Sequence, residues 1–123
     1  MSDGRSDVTL ELSNEMVRLY KDLFGRGPAR ARTHFAGPDC VICSLERTLT
    51  PAEQSMVALG EQQRLRETRM FFQHAREGDF REACERVTGR NVVAFVSGID
   101  ATADMSCEVF YLEPVRRDGT LLE

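Results

Sequence analysis

Apolar residues recur at three- and four-residue spacing over residues 10–24. Leu12, Met16, Leu19, Tyr20 and Leu23 fall on one stripe, and Glu11, Arg18, Lys21 and Asp22 fall mostly opposite. That period predicts an amphipathic helix with one buried face. Gly25, Gly27 and Pro28 supply the stop. The period then changes to two. Ala29, Ala31, Thr33 and Phe35 alternate with Arg30, Arg32 and His34, which predicts a strand with one small or apolar face and one basic face. A turn at 36–39 leads to a second strand over 40–49, with Val41, Cys43 and Leu45 on one side.

Thr50-Pro51-Ala52-Glu53 reads as a helix start, with Thr50 as cap, Pro51 in the first turn and Glu53 placed to reach back. A long, charged helical stretch is expected to about residue 77. Gly60 and Gly78 are its weak points, and Asp79 is placed to cap a further piece over 80–87. Gly89 is the C-cap. Residues 89–113 then form a hairpin of two apolar runs, 92–96 and 109–112, joined by a polar loop over 97–106 and ended by Pro114. An isolated hairpin is marginal in water, so the helices must cover it.

The expected fold is therefore α+β in the order α-β-β-α-β-β: a four-stranded antiparallel sheet with helices on one face, as in a permuted ferredoxin-like arrangement. Residues 1–8 and 115–123 are expected to be tails around a single domain, 9–114. Gly25-Arg26 recurs as Gly89-Arg90, and Cys43 as Cys107, at one spacing of 64 residues (89 − 25 and 107 − 43). This fits two similar α-β-β units.

Composition narrows the chemistry. The net charge of −4 and pI near 5.3 argue against a general nucleic-acid binder. No apolar run approaches the roughly 20 residues of a membrane span, and the polar start carries no signal-type apolar region. A cytoplasmic location with reduced thiols is expected. Cys40 and Cys43 are three apart on a strand, so their side chains face opposite sides, unlike a redox or zinc pair. His74 reads as solvated. Arg30, Arg32 and His34 share a face that would suit a carboxylate or phosphate, although a merely solvated face explains them as well. Asp100 and Asp104 flank one short loop, too few oxygen ligands for a hard cation. No metal, cofactor or catalytic set is expected. Met70-Phe71-Phe72 cannot all face one core, which favours an added partner surface.

GRGP after an amphipathic helix, LTPAE opening a charged helix, and TGR-NVV, SGID and EVFYLE in the last hairpin together resemble the MpsC-like family. That family is named for the C subunit of a sodium-translocating, membrane-potential-generating system. The resemblance runs from about residue 10 to 113 and rests on Gly25, Arg26, Gly27, Pro28, Leu49, Thr50, Glu53, Thr88, Gly89, Ser97, Asp100, Asp104, Glu108 and Val109. It implies a small soluble protein, associated in some members with a membrane ion or bicarbonate uptake system, and it brings no catalytic residues.

The resulting expectation is a non-enzymatic accessory or regulatory domain that forms a homodimer or higher homo-oligomer. Membrane transporter subunits are further partners, without nucleic acid and without insertion into the membrane. The expected partner- or anion-binding face comprises Arg26, Arg30, Arg32, His34, Ser97, Asp100 and Asp104. The alternative is a small-molecule sensor with an anion pocket on the basic strand.

Overall fold

The computed structural model describes residues 4–115. Its elements are α1 (Gly4–Phe24), β1 (Arg30–Phe35), β2 (Cys40–Glu46), α2 (Pro51–Ala58), α3 (Gln62–Ala75), α4 (Glu77–Thr88), β3 (Val92–Asp100) and β4 (Met105–Leu112). The strands form one antiparallel sheet in the order β1-β2-β4-β3. This is the α+β sheet expected from the pattern. A ferredoxin-like sheet takes the same strand order when its chain is made to start on its first helix.

Three expectations are corrected. Residues 4–8 stand in the first turns of α1 rather than in a tail; residues 116–123 of the other expected tail lie outside the described residues. The long helix is two helices, α2 and α3, and the further piece expected over 80–87 is α4. Gly60 adopts φ +80, a left-handed conformation that a side-chained residue tolerates poorly, and this ends α2. The second break is at Arg76 (φ −106, ψ 16), not at Gly78, which lies inside α4. The polar loop of the last hairpin is much shorter than its composition implies. β3 continues to Asp100 and β4 begins at Met105, so only residues 101–104 turn.

The local signals at the helix ends hold. Glu53 donates its backbone N–H to the Thr50 hydroxyl (3.3 Å) and accepts from the Thr50 N–H (2.9 Å), closing the capping box of α2. Gly25 and Gly89 take left-handed φ values of 85 and 70 after α1 and α4. Each is followed by a hairpin, so the chain is built as two α-β-β units that meet along β2 and β4.

All helices pack on one face of the sheet. Leu12, Met16, Leu19 and Tyr20 of α1 and Phe80, Ala83 and Cys84 of α4 close over Val41, Cys43, Leu45, Val92, Phe110 and Leu112. Phe95 bridges the layers, stacked on Phe80 at 5.5 Å and tilted against Phe110 at 5.1 Å. A smaller cluster under α2 and α3 joins Leu49, Leu65, Ile99 and Ala101. Among the described residues no helix lies over the other face of the sheet. Among the described residues no helix is long and apolar enough to cross a membrane.

Candidate functional site

Strand register decides which side chains share the uncovered face. Its rows are Cys40, Tyr111 and Ala94; His34, Ile42, Val109 and Val96; Arg32, Ser44, Cys107 and Gly98; and Arg30, Glu46, Met105 and Asp100. The centre is apolar. Val96, Met105 and Tyr111 are 53 %, 50 % and 44 % exposed. Gly98 has open space where a side chain would stand. There the face carries a depression of about 370 Å³ lined by Ser44, Gly98, Met105 and Cys107 among others. Charge lies at the margins. Arg30, Arg32 and His34 follow one edge, and Asp100 ends the same row as Arg30 at the other edge. Arg30 approaches Glu46 at 4.0 Å. Among the described residues Arg32 and His34 have no ion-pair partner.

The seven residues singled out in the sequence therefore separate. Arg30, Arg32, His34 and Asp100 share the open face. Asp100 also accepts from the Ala103 N–H (2.9 Å) and so shapes the hairpin turn. Arg26 and Asp104 converge elsewhere, on the segment between β2 and α2. Arg26 donates to the Leu49 carbonyl (3.0 Å), while the Asp104 carboxylate accepts from the N–H groups of Thr48 (2.8 Å) and Leu49 (3.3 Å). Those two residues fix a loop. Ser97 points to the opposite face from the Arg row, into the protein, across from Glu108.

Ser97 leads to a set of residues that sequence reasoning did not bring together. Glu108 is fully buried on β4. Its Oε1 accepts from Tyr20 of α1 (2.6 Å) and from Gln73 of α3 (2.7 Å), and Gln73 also donates to the Tyr20 hydroxyl (2.8 Å). Burial raises the Glu108 carboxyl to about 7, against the opposing hydrogen bonds of its neighbours, and burial beside Glu108 raises the Tyr20 phenol well above its ordinary value. One turn before Gln73, buried Arg69 lies over the Phe24 ring at 3.6 Å and donates to Glu53 and to the Thr48 carbonyl (2.9 Å). Glu108 was visible only as one residue of a family pattern. Arg69 and Gln73 sit in a stretch whose composition reads as solvent-facing.

The thiols behave as packing groups where they are deepest. Burial pushes Cys43 and Cys84 up to about 12, which leaves them poor nucleophiles. Cys40 lies on the open face and Cys43 points into the core, as their spacing on a strand requires.

No curated protein and no solved structure matches this chain. A family model described as "Na+-translocating membrane potential-generating system (MpsC)" matches residues 5–114, which spans both α-β-β units. By that match the chain belongs to the MpsC family.

Proposed function

We propose that the protein is a non-enzymatic, cytoplasmic accessory domain of an ion-translocating membrane system, and that it acts as a homodimer joined through its open sheet face. The observation that carries this reading is the uncovered apolar centre formed by Ile42, Val96, Met105, Val109 and Tyr111. A second copy is the occupant that the charge pattern fits. A two-fold axis in the interface and parallel to the strands keeps the rows in step. It sets Arg30 of one copy over Asp100 of the other, twice, and stacks Ile42 and Val109 on each other. Face-to-face sheets pack in this way with a modest twist between them. The accessory role draws on the family description, and the transporter's membrane-spanning subunits are further partners in this reading.

Light scattering on micromolar protein tests it. The expected mass is that of a dimer, falling to a monomer in Val96→Asp/Val109→Asp with an unchanged circular dichroism spectrum. A monomer mass for the unaltered protein overturns the proposal.

Arg32 and His34, without an ion-pair partner among the described residues, favour a second reading, an anion-sensing module. A thermal-shift screen of carboxylates, nucleotides and bicarbonate separates the two, because a ligand of the native state raises the melting temperature. A shift that disappears in Arg30→Ala/Arg32→Ala would support the sensor.

A further inference from the structure

Gly98 stands inside β3 without a conformational reason. The left-handed glycines of the described chain are Gly25, Gly37, Gly60 and Gly89, and the irregularity of the β3–β4 ladder falls earlier, between Val92 and Ala94. A glycine within a strand weakens it and often marks a place where another chain or a ligand comes close. Here it opens the hollow of about 370 Å³ on the uncovered face, whose lining includes Ser44, Asp100, Met105 and Cys107. A Cβ at position 98 would meet nothing within 4 Å. Asp100 accepts an N–H from its own turn and has no cationic partner among the described residues.

Arg32 stands at the opposite edge of the row that holds Gly98, exposed and without an ion-pair partner among the described residues. The two-fold axis of the dimer reading lays β1 of one copy over β3 of the other. It brings Arg32 over Gly98, His34 over Val96 and Arg30 over Asp100. Of these three β1 side chains, Arg32 alone meets a position without a side chain. Left empty, the hollow would become a void between the copies, and the cores of interfaces pack as closely as protein interiors. An arginine suits the space, because its stem is apolar and its guanidinium pairs well with a carboxylate.

We infer that each copy inserts Arg32 into the Gly98 hollow of the other and pairs it there with that copy's Asp100, so that two equivalent arginine sockets lock the dimer. The inference rests on the dimer reading and adds what fixes its register and its partner. A knob and a hole at opposite ends of one row complement themselves about a two-fold axis, which makes a second copy the occupant. Charge agrees, since the guanidinium and the carboxylate that meet each lack an ion-pair partner within the described residues of one chain. A slip of two residues along the strands would set Arg32 over Val96 or Asp100 and leave the hollow empty. Asp100 then serves both Arg30 and Arg32 of the facing copy, which the several acceptor sites of a carboxylate allow.

The test is the dimer dissociation constant of the full chain, measured by sedimentation equilibrium for the parent, Gly98→Leu, Arg32→Ala and the double variant. Gly98→Leu fills the hollow from a position with open space around it, so the circular dichroism spectrum should be unchanged. Each single variant should weaken dimerisation about tenfold or more, as loss of a central arginine anchor does. In the Gly98→Leu background, Arg32→Ala should cost nothing further or restore affinity, because the leucine then occupies the space that the guanidinium leaves. Added NaCl should weaken the parent more than Arg32→Ala, since salt screens the Arg32–Asp100 pair. A parent dimer that Gly98→Leu leaves intact overturns the socket and leaves the dimer reading standing, and so do two single effects that simply add. Equal salt dependence of the parent and Arg32→Ala overturns the pairing with Asp100. A monomeric parent removes the dimer reading and the socket together.

Discussion

Arg69, 1 % exposed, donates two 2.6 Å hydrogen bonds to Glu53, the residue that closes the capping box at the start of α2. One carboxylate thus caps a helix and neutralises the most deeply buried cation of the described chain. The pair ties α3 to the loop where Arg26 and Asp104 also act, because Arg69 reaches the Thr48 carbonyl as well. The start of α2 is therefore held by tertiary charge and not by its cap alone.

Removing one member strands the other. Arg69→Lys cannot reproduce the two-pronged bond, and Glu53→Gln leaves a buried guanidinium without its counter-charge. Each should cost about 3–5 kcal/mol, read from urea midpoints. Thr50→Ala alone should cost about 1 kcal/mol. Thr50→Ala combined with Glu53→Gln should cost less than the sum, since Glu53 belongs to both interactions. Strict additivity would contradict the shared role.

Glu53 also sets an acid limb. Burial raises its carboxyl, but the Arg69 and Thr50 hydrogen bonds outweigh that and hold it below the ordinary value of 4.5. A depressed carboxylate stabilises the fold above its unfolded pKa, and that contribution is lost as pH falls through the folded value. Urea midpoints should therefore fall below about pH 4.5 in the parent chain. Glu53→Gln should show a weaker acid dependence over the same range.

Glu108 has the opposite sign. Its folded value is raised from 4.5 to about 7, so the fold binds a proton that the unfolded chain releases. The stabilisation is complete below about pH 4.5 and disappears as pH rises through about 7. The shift corresponds to roughly 3 kcal/mol. The parent should lose stability between pH 5 and 8, and Glu108→Gln should be nearly flat there and the more stable of the two at pH 8. Parallel curves for the two proteins would rule out the raised carboxyl.

The thiols should divide by face. At pH 8, with the fold intact, a thiol reagent should reach Cys40 and Cys107 on the open side. It should label Cys43 and Cys84 only at the rate of unfolding, because both are buried and held protonated. Labelling of Cys107 should slow as protein concentration rises, if a second copy covers that face. Peptide mass mapping over time reads both effects.

Asp104 combines a left-handed backbone (φ 56) with charged acceptance from Thr48 and Leu49. Asp104→Ala should cost roughly 3 kcal/mol, from lost charge-assisted bonds and from strain. Asp104→Asn tolerates the backbone and keeps an acceptor, so it should cost markedly less. Equal losses for the two variants would show that neither the conformation nor the acceptor matters.

The sequence by itself determined what depends on neighbours along the chain. The stripe of Leu12, Met16 and Tyr20, the alternation through Arg30–Phe35, the Thr50–Glu53 box and the left-handed Gly89 all arise within a turn or a strand's length, so they could be read locally. Family membership was readable too, because the motifs at 25–28, 49–53, 88–100 and 108–113 are local strings. Tertiary structure decided the rest. Arg69 and Gln73 are buried although their stretch is charged, since Glu53, Thr48, Tyr20 and Glu108 supply partners from 16 to 53 residues away. A charged residue goes inside only when such partners exist, and their positions are set by packing rather than by periodicity. The register of β2 against β4 likewise chose which residues share the open face, which put Asp100 in the row of Arg30 and turned Ser97 inward toward Glu108.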